Sequence, residues 1–304
     1  MADEPVTRVT LFVPGSAELK RSGIDGEWID NPKDGSFAES FAFGTVEDDG
    51  LEAIEATPGA LLVQLTDDLG EGRKRVLKVV EKLKQHGAVA VRLEQSKLGW
   101  EIGKWLELVG GDIPNQLHLA TVTMLTNNDH VVSCGMHAFS LPDARLALAG
   151  VSAEDAQQFL STLNLYQIVE DPLLLSGQTF APDPETPRRV LQRWPDDGYP
   201  PAHWCHNPYG VWHLGPAGGK GEPQSELHPQ FIPALRVLLA SLEEKNGAPL
   251  TREQVEKIRD GAPCLAMKHR DAQKMERSRG YADIDPRLAY EQWCVVRENR
   301  DDDD

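Results

Sequence analysis

Apolar positions recur along this chain in distinct rhythms, and each rhythm predicts a different element. Short β-branched or apolar runs bounded by Pro, Gly or Asp read as strands: residues 8–13 ahead of Pro14-Gly15, residues 59–65, and residues 88–93. Residues 39–46 (ESFAFGTV) alternate well enough for a further strand, whereas the Gly/Asp/Asn/Pro-rich stretch before them has no rhythm that places it. Helical spacing governs GRKRVLKVVEKLKQHG. Val76, Leu77, Val79, Val80 and Leu83 share one face, and Lys74, Lys78, Glu81 and Lys82 fall largely on the other. Gly87 stands where a glycine just past the last turn would end that helix. The unit is strand–helix–strand, and residues 98–109 predict a second, aromatic-bearing helix ended by Gly110-Gly111.

The central stretch predicts a hairpin. Residues 117–125 and 130–139 read as two β runs joined by the turn chemistry of Thr126-Asn127-Asn128-Asp129. On the return run Val132, Cys134 and Met136 would share a buried face, with His137 on the opposite one. Ser152 and Asp155 have capping-box spacing at the start of a helix whose buried stripe is Phe159, Leu160, Leu163 and the Ile168/Val169 pair, with Pro172 at its end. Gly, Pro and polar residues dominate 215–229, a linker composition. The tail is helical in pattern over 231–242, over 251–260 with Thr251 and Gln254 as a capping box, and over 272–279, with Asp285 before Pro286 as a further N-cap. The expected architecture is α+β: a mixed or antiparallel sheet with helices packed on one face, plus a small α-helical C-terminal module. Its parts are an α+β domain over 1–214, a linker over 215–229, the helical module over 230–300 and an acidic frayed tail over 301–304.

Composition narrows the function classes. With 304 residues, 40% hydrophobic and 26% charged, the chain is long enough for a sizeable core and reads as an ordinary globular protein. Asp3 and Glu4 stand where a signal peptide carries basic residues, and no run reaches the roughly 18 apolar residues a spanning helix needs, so the expectation is cytoplasmic, with no membrane partner. The four cysteines (Cys134, Cys205, Cys264, Cys294) form no CxxC pair and are expected reduced. A formal charge of −17 argues against nucleic acid, whose phosphates need a basic face, and favours a protein partner with a basic surface.

GAVAVRLEQSKLGW, GMHAFSLPDARLAL and LYQIVEDPLLLSGQTFAPDPETPRRV together resemble an uncharacterised bacterial family known only as a domain of unknown function. The residues that carry the resemblance are Ser96, Gly135-Met136, Leu141-Pro142 and Gly177-Gln178-Thr179-Phe180, over a core of about residues 55–214. The chain departs from the family pattern at Gln178, where an acidic residue or His is expected. The tail segments PLTREQVEKIRDGAP and RSRGYADIDPRLAYEQW resemble a C-terminal module of unknown role. The resemblance implies an α+β fold and no reaction.

Candidate chemistry is sparse. His203, Cys205, His206 and His213 form the densest set of metal-ligand types, and three of them plus a water would make a zinc site, although H-x-C-H matches no standard ligand spacing. The competing reading is an aromatic-rich strand pair with surface histidines. Cys134 with His137 would be a thiolate–imidazole pair only if the two shared a face, which strand alternation denies. Gly215-Pro-Ala-Gly-Gly-Lys220-Gly mimics a phosphate loop but lacks the Ser or Thr after Lys, and linker is the better reading. Asp67-Asp68 after a strand is a place where acids sometimes hold metals and more often are solvated. Seven tryptophans serve equally as core or as interface anchors. No G-x-S-x-G, HExxH or G-x-G-x-x-G occurs. The resulting expectation is a non-enzymatic, adaptor- or immunity-like interaction module without a cofactor. The alternative is a metal- or thiol-dependent hydrolase built on His203, Cys205, His206 and His213.

Overall fold

The structure is a computed structural model and describes residues 6–41 and 46–301. Along the chain, β1 (Val9–Gly15) and β2 (Glu27–Asp30) are followed by two helices, α1 (Ser36–Glu39) and α2 (Asp48–Ala56). Then come β3 (Gly59–Leu65), α3 (Arg73–Gln85), β4 (Ala90–Leu93), β5 (Leu98–Glu101), α4 (Ile102–Gly110) and α5 (Pro114–Thr121). The hairpin β6 (Thr123–Thr126) and β7 (His130–Cys134) leads to β8 (Asp143–Ala147) and α6 (Ala153–Glu170). The remainder is β9 (Thr179–Phe180), β10 (Arg189–Trp194), β11 (Val211–Leu214), β12 (Leu227–Phe231), α7 (Leu235–Asn246), α8 (Arg252–Gly261), β13 (Cys264–Lys268), α9 (His269–Arg279) and α10 (Ala289–Asp301). The fold is α+β with a helical C-terminal module, and among the described residues no helix is long and apolar enough to cross a membrane.

Two compact units result. The first holds residues 1–141 and 148–171, the second 142–147 and 172–304, so the stretch 1–214 contributes to both. In the first unit a five-stranded sheet runs β2-β3-β1-β4-β5 with every neighbouring pair antiparallel. Helices cover both of its faces rather than the one expected, because β1 is apolar on both. Val9, Leu11 and Val13 join Val76, Val80 and Leu83 of α3 and Trp105 and Leu108 of α4, while Phe12 between them packs with Phe37, Phe41 and Ile54 on the other side. Each such buried apolar side chain contributes about 1.5–3 kcal/mol, which is why both faces of β1 are covered. In the second unit β8 pairs with β11 in parallel, β10 and β9 continue antiparallel, and β12 with β13 forms a separate antiparallel ribbon. The C-terminal helices close around Phe231, Leu235, Leu239, Val255 and Trp293.

Several expected elements change type. Residues 98–101 are a strand, not the start of a helix: the turn Glu94–Lys97 places Lys97 at φ +59 and folds β5 back on β4. Residues 117–121 are helical, with Pro114 in the first turn as the start signal that outweighs the β-branched run. The return run stops at Cys134. Gly135 sits at φ +123, and a Cβ there would lie 2.5 Å from the Thr121 carbonyl oxygen, so residues 136–139 coil into a 3-10 turn instead of continuing the strand. Residues 39–41 close α1 and the following turn, residues 42–45 of the ESFAFGTV run lie outside the described residues, and Val46 carries neither helix nor strand. Residues 227–231 and 264–268 pair as the ribbon, which delays the first tail helix to Leu235. Residues 298–301 belong to α10.

Other readings stand. Gly87 has φ +88 just past α3, Ser152 accepts the Asp155 N–H at 3.0 Å, and Thr251 with Gln254 forms the reciprocal capping box of α8. Residues 215–226 carry neither helix nor strand, yet the N–H groups of Gly215, Gly218 and Glu222 donate to the carbonyls of Val190, Arg188 and Gly177. Their backbone is thereby held against the β9–β10 region.

Candidate functional site

Polar side chains of the first unit gather at one end of the five-stranded sheet. Because β1 runs antiparallel to β3 and β4, the start of β1 and the ends of β3 and β4 lie side by side. Gln95, just past β4, accepts the Thr10 N–H at 3.1 Å, and its own carbonyl accepts the Cys134 thiol at 3.2 Å. Gly135 then brings the chain so close that its Cβ would stand 3.0 Å from that of Ser96. Beyond the 3-10 turn, Ser140 occupies the left-handed region (φ +59), a conformation that costs a non-glycine residue about 1–2 kcal/mol. Its hydroxyl accepts from Arg8 Nη1 at 2.7 Å and donates to Asp68 Oδ2 at 3.0 Å. Asp68 Oδ1 in turn accepts the N–H groups of Gly70 and Gly72 at the start of α3, and Asp67 pairs with Arg75 at 2.6 Å.

These bonds decide what the cluster can do. Ser140 is buried and its single proton is donated to Asp68, and the buried Cys134 thiol donates to a backbone carbonyl. Asp67 and Asp68 are engaged by Arg75, two backbone amides and Ser140, not simply solvated. Glu94, also buried, is paired with both Arg92 (2.7 Å) and Lys97, and the Arg92 guanidinium lies 4.6 Å from the Phe12 ring centroid. A buried carboxylate held by two cations is a fixed structural element, since losing either partner would strand its charge. Arg8, Gln95 and Ser140 went unnoticed in the sequence, where nothing marks residues whose partners lie 85 to 132 positions away.

In the second unit residues 203–210 of the histidine run are turns and loop, and the aromatic strand pair forms only beyond them, where β11 with Trp212 and His213 pairs with β10 and its Trp194. His203 Nδ1 accepts the Cys205 N–H at 3.2 Å, and its ring stacks on Tyr199 at 4.7 Å. His206 Nδ1 faces the Tyr199 carbonyl at 2.9 Å, so that nitrogen carries the proton, and it lies 3.6 Å from Asp196 Oδ2. Cys205 is buried, and His213 on β11 stacks against Trp194 at 6.1 Å. The focus of the region is Asp196, which accepts from Asn207 N (2.7 Å) and Gly198 N (2.9 Å); the Asn207 amide donates to Asp143 at 2.6 Å. Among the described residues no group of three or more His, Cys, Asp or Glu side chains is placed to hold a metal ion, and His203, Cys205, His206 and His213 are no exception. His203 and His206 are held by Tyr199 and by backbone groups, and His213 lies against Trp194.

Two surfaces of the first unit are unlike the rest. Its exposed large hydrophobic side chains among the described residues are Ile113 (53%), Leu119 (58%), Tyr166 (38%) and Val169 (52%), all on α5, its cap residue, or α6. The two helices pack on each other through buried His118 and Asn164, 3.3 Å apart. Asp112, Glu154, Asp155, Glu170 and Asp171 are exposed on the same pair, and residues 112–121 and 152–171 contain no Lys or Arg. The second surface is the outward face of α3, where Lys74, Arg75, Lys78, Lys82 and Lys84 are exposed. Tryptophan supplies no comparable surface: Trp100, Trp105, Trp212 and Trp293 are core, and Trp204 alone among the described tryptophans reaches the exposed class, at 37%. Compared with protein-family models, with curated proteins and with solved structures, the chain finds no match.

Proposed function

We propose that the chain is a protein-interaction module, adaptor- or immunity-like, that docks on a partner of basic surface through the α5–α6 face. The observation that carries this reading is the placement of Ile113, Leu119, Tyr166 and Val169 on one pair of packed helices whose segments carry five exposed acids and no Lys or Arg. Exposed apolar side chains scattered singly over a surface need no explanation, whereas four on one helix pair, in segments with acids and no Lys or Arg, have the composition of a binding face. The apolar side chains would supply affinity. The acids, within a total of −17, would speed encounter with a positive partner and reject acidic ones. No observation favours the hydrolase alternative, since among the described residues no three of its His and Cys side chains are placed together to hold a metal ion.

The test is cross-linking of wild type and of a Leu119→Asp/Val169→Asp double variant in their native extract, with the linked proteins identified by mass spectrometry. Both substitutions are at exposed positions, so the variant should melt within a few degrees of wild type. The expected result is a basic protein linked to wild type and lost from the variant. Identical linked sets from the two would sink the reading.

A further inference from the structure

The outward face of α3 has features that the fold does not require. Residues 73–86 contain six Lys or Arg and one acid, in a chain where Asp and Glu outnumber Lys and Arg by 48 to 31. Lys74, Lys78 and Lys82 follow one another at i, i+4 spacing, where like charges destabilise a helix and a Glu in the series would stabilise it. The first turn holds Arg73, Lys74 and Arg75 and no acid, against the helix dipole, which favours negative charge there. Arg75 is the one of this set tied to a carboxylate, that of Asp67. Among the described residues Lys74, Lys78, Lys82 and Lys84 make no ion pair, and the ammonium groups of Lys82 and Lys84 lie over glycines, Gly23 and Gly103, at 3.5 Å from where a Cβ would stand. With so many acids in the chain, a row of cations that makes no ion pair among the described residues is an arrangement that solvation and folding do not call for.

From this we infer that the Lys74–Lys78–Lys82 row is a docking surface for a short acidic segment of a protein. Eight residues of helix place the outer two lysines roughly 12 Å apart, which matches two or three carboxylates on one side of an extended or helical peptide. A nucleic acid fits less well. Such sites commonly engage about six to ten phosphates, and a longer polyanion would run from this row onto a molecule of charge −17. The exposed positions of α3 also offer no aromatic ring for a base to stack on. Glu81, one turn from Lys78 and beside Lys82, limits the strength of the site and gives a lever on it. This surface is separate in sequence and in sign from α5–α6, so the two readings stand or fall independently.

Fluorescence anisotropy with a labelled eight-residue oligoglutamate peptide tests it on the full chain. Wild type should bind the peptide, and affinity should fall as salt rises. Lys74→Gln/Lys78→Gln/Lys82→Gln should weaken binding about tenfold or more, and Glu81→Gln should tighten it severalfold. Circular dichroism melts should show the triple variant no less stable than wild type, because it removes like-charge neighbours. No peptide binding by wild type, equal binding by the triple variant, or tighter binding of a labelled single-stranded or duplex oligonucleotide than of the peptide would each overturn the inference.

Discussion

At the scale of single residues, Asp283 shows how this chain uses a carboxylate without chemistry. It accepts the N–H groups of Leu235 (2.8 Å) and Arg236 (3.0 Å), so it caps α7 from a distant segment where the helix's own cap residue, Ala234, has no side-chain acceptor. Burial pushes its pKa above the ordinary 3.8, outweighing the three backbone amides that pull it down. Two residues on, burial also pushes Asp285 up, but the hydrogen bonds and charge of Arg287 leave it below 3.8. The signs are therefore opposite. The stability linked to Asp283 is fullest below pH 3.8 and is lost as pH rises through its raised value, whereas that linked to Asp285 is present above 3.8 and is lost as pH falls. The excess stability of wild type over Asp283→Asn should accordingly shrink between pH 4 and pH 7 in urea unfolding; a difference independent of pH would contradict this.

The cysteines give a second check at the same scale. Cys134 and Cys205 are buried, Cys264 is exposed and Cys294 is intermediate. A thiol reagent should label Cys264 first, Cys294 more slowly, and the other two on unfolding. Rapid labelling of Cys134 in the native protein would mean that its bond to the Gln95 carbonyl does not hold.

At the scale of elements, the turn after β7 is the most sensitive point. Gly135→Ala places a side chain both at a left-handed φ and against the Thr121 carbonyl, and should destabilise the chain by at least about 2 kcal/mol in chemical unfolding. A loss below about 0.5 kcal/mol would show that the backbone there relaxes. This element also marks the limit of what the sequence could be made to say. The capped helices α3, α6 and α8 were legible because their apolar stripe and end signals lie within one turn of each other. The helix α5 was not, since Leu117 to Val122 alternates like a strand, and only Pro114 argued otherwise. Val169, read as core from spacing, is exposed because buried Asn164 and Gln167 take the inward positions of α6 instead. The polar clusters were illegible for a different reason. Asp68 and Ser140 are 72 positions apart, and Asp143 and Asn207 are 64 apart, so no local pattern announces either bond.

At the scale of the molecule, charge is distributed rather than uniform. From 105 to 144 and again from 146 to 187 there is no Lys or Arg, while α3 concentrates six of the 31 basic residues in one short helix. A chain of net −17 thus presents one acidic-apolar face and one lysine face within its first unit. Both proposed contacts should weaken with ionic strength, since exposed charges more than about 8 Å apart are screened at physiological salt. The α5–α6 contact should retain its apolar share at high salt, and the α3 contact should vanish.

The membership of β8 has a consequence for how the protein is made. Pro142–Ala147 belongs to the second unit although the first claims the chain on both sides of it, and β8 pairs in parallel with β11, roughly seventy residues further on. At about 5–20 residues per second, a ribosome that has released β8 needs several seconds more before its partner strand exists. During that interval a nascent strand waits with an edge open, a condition that invites pairing with a neighbouring chain.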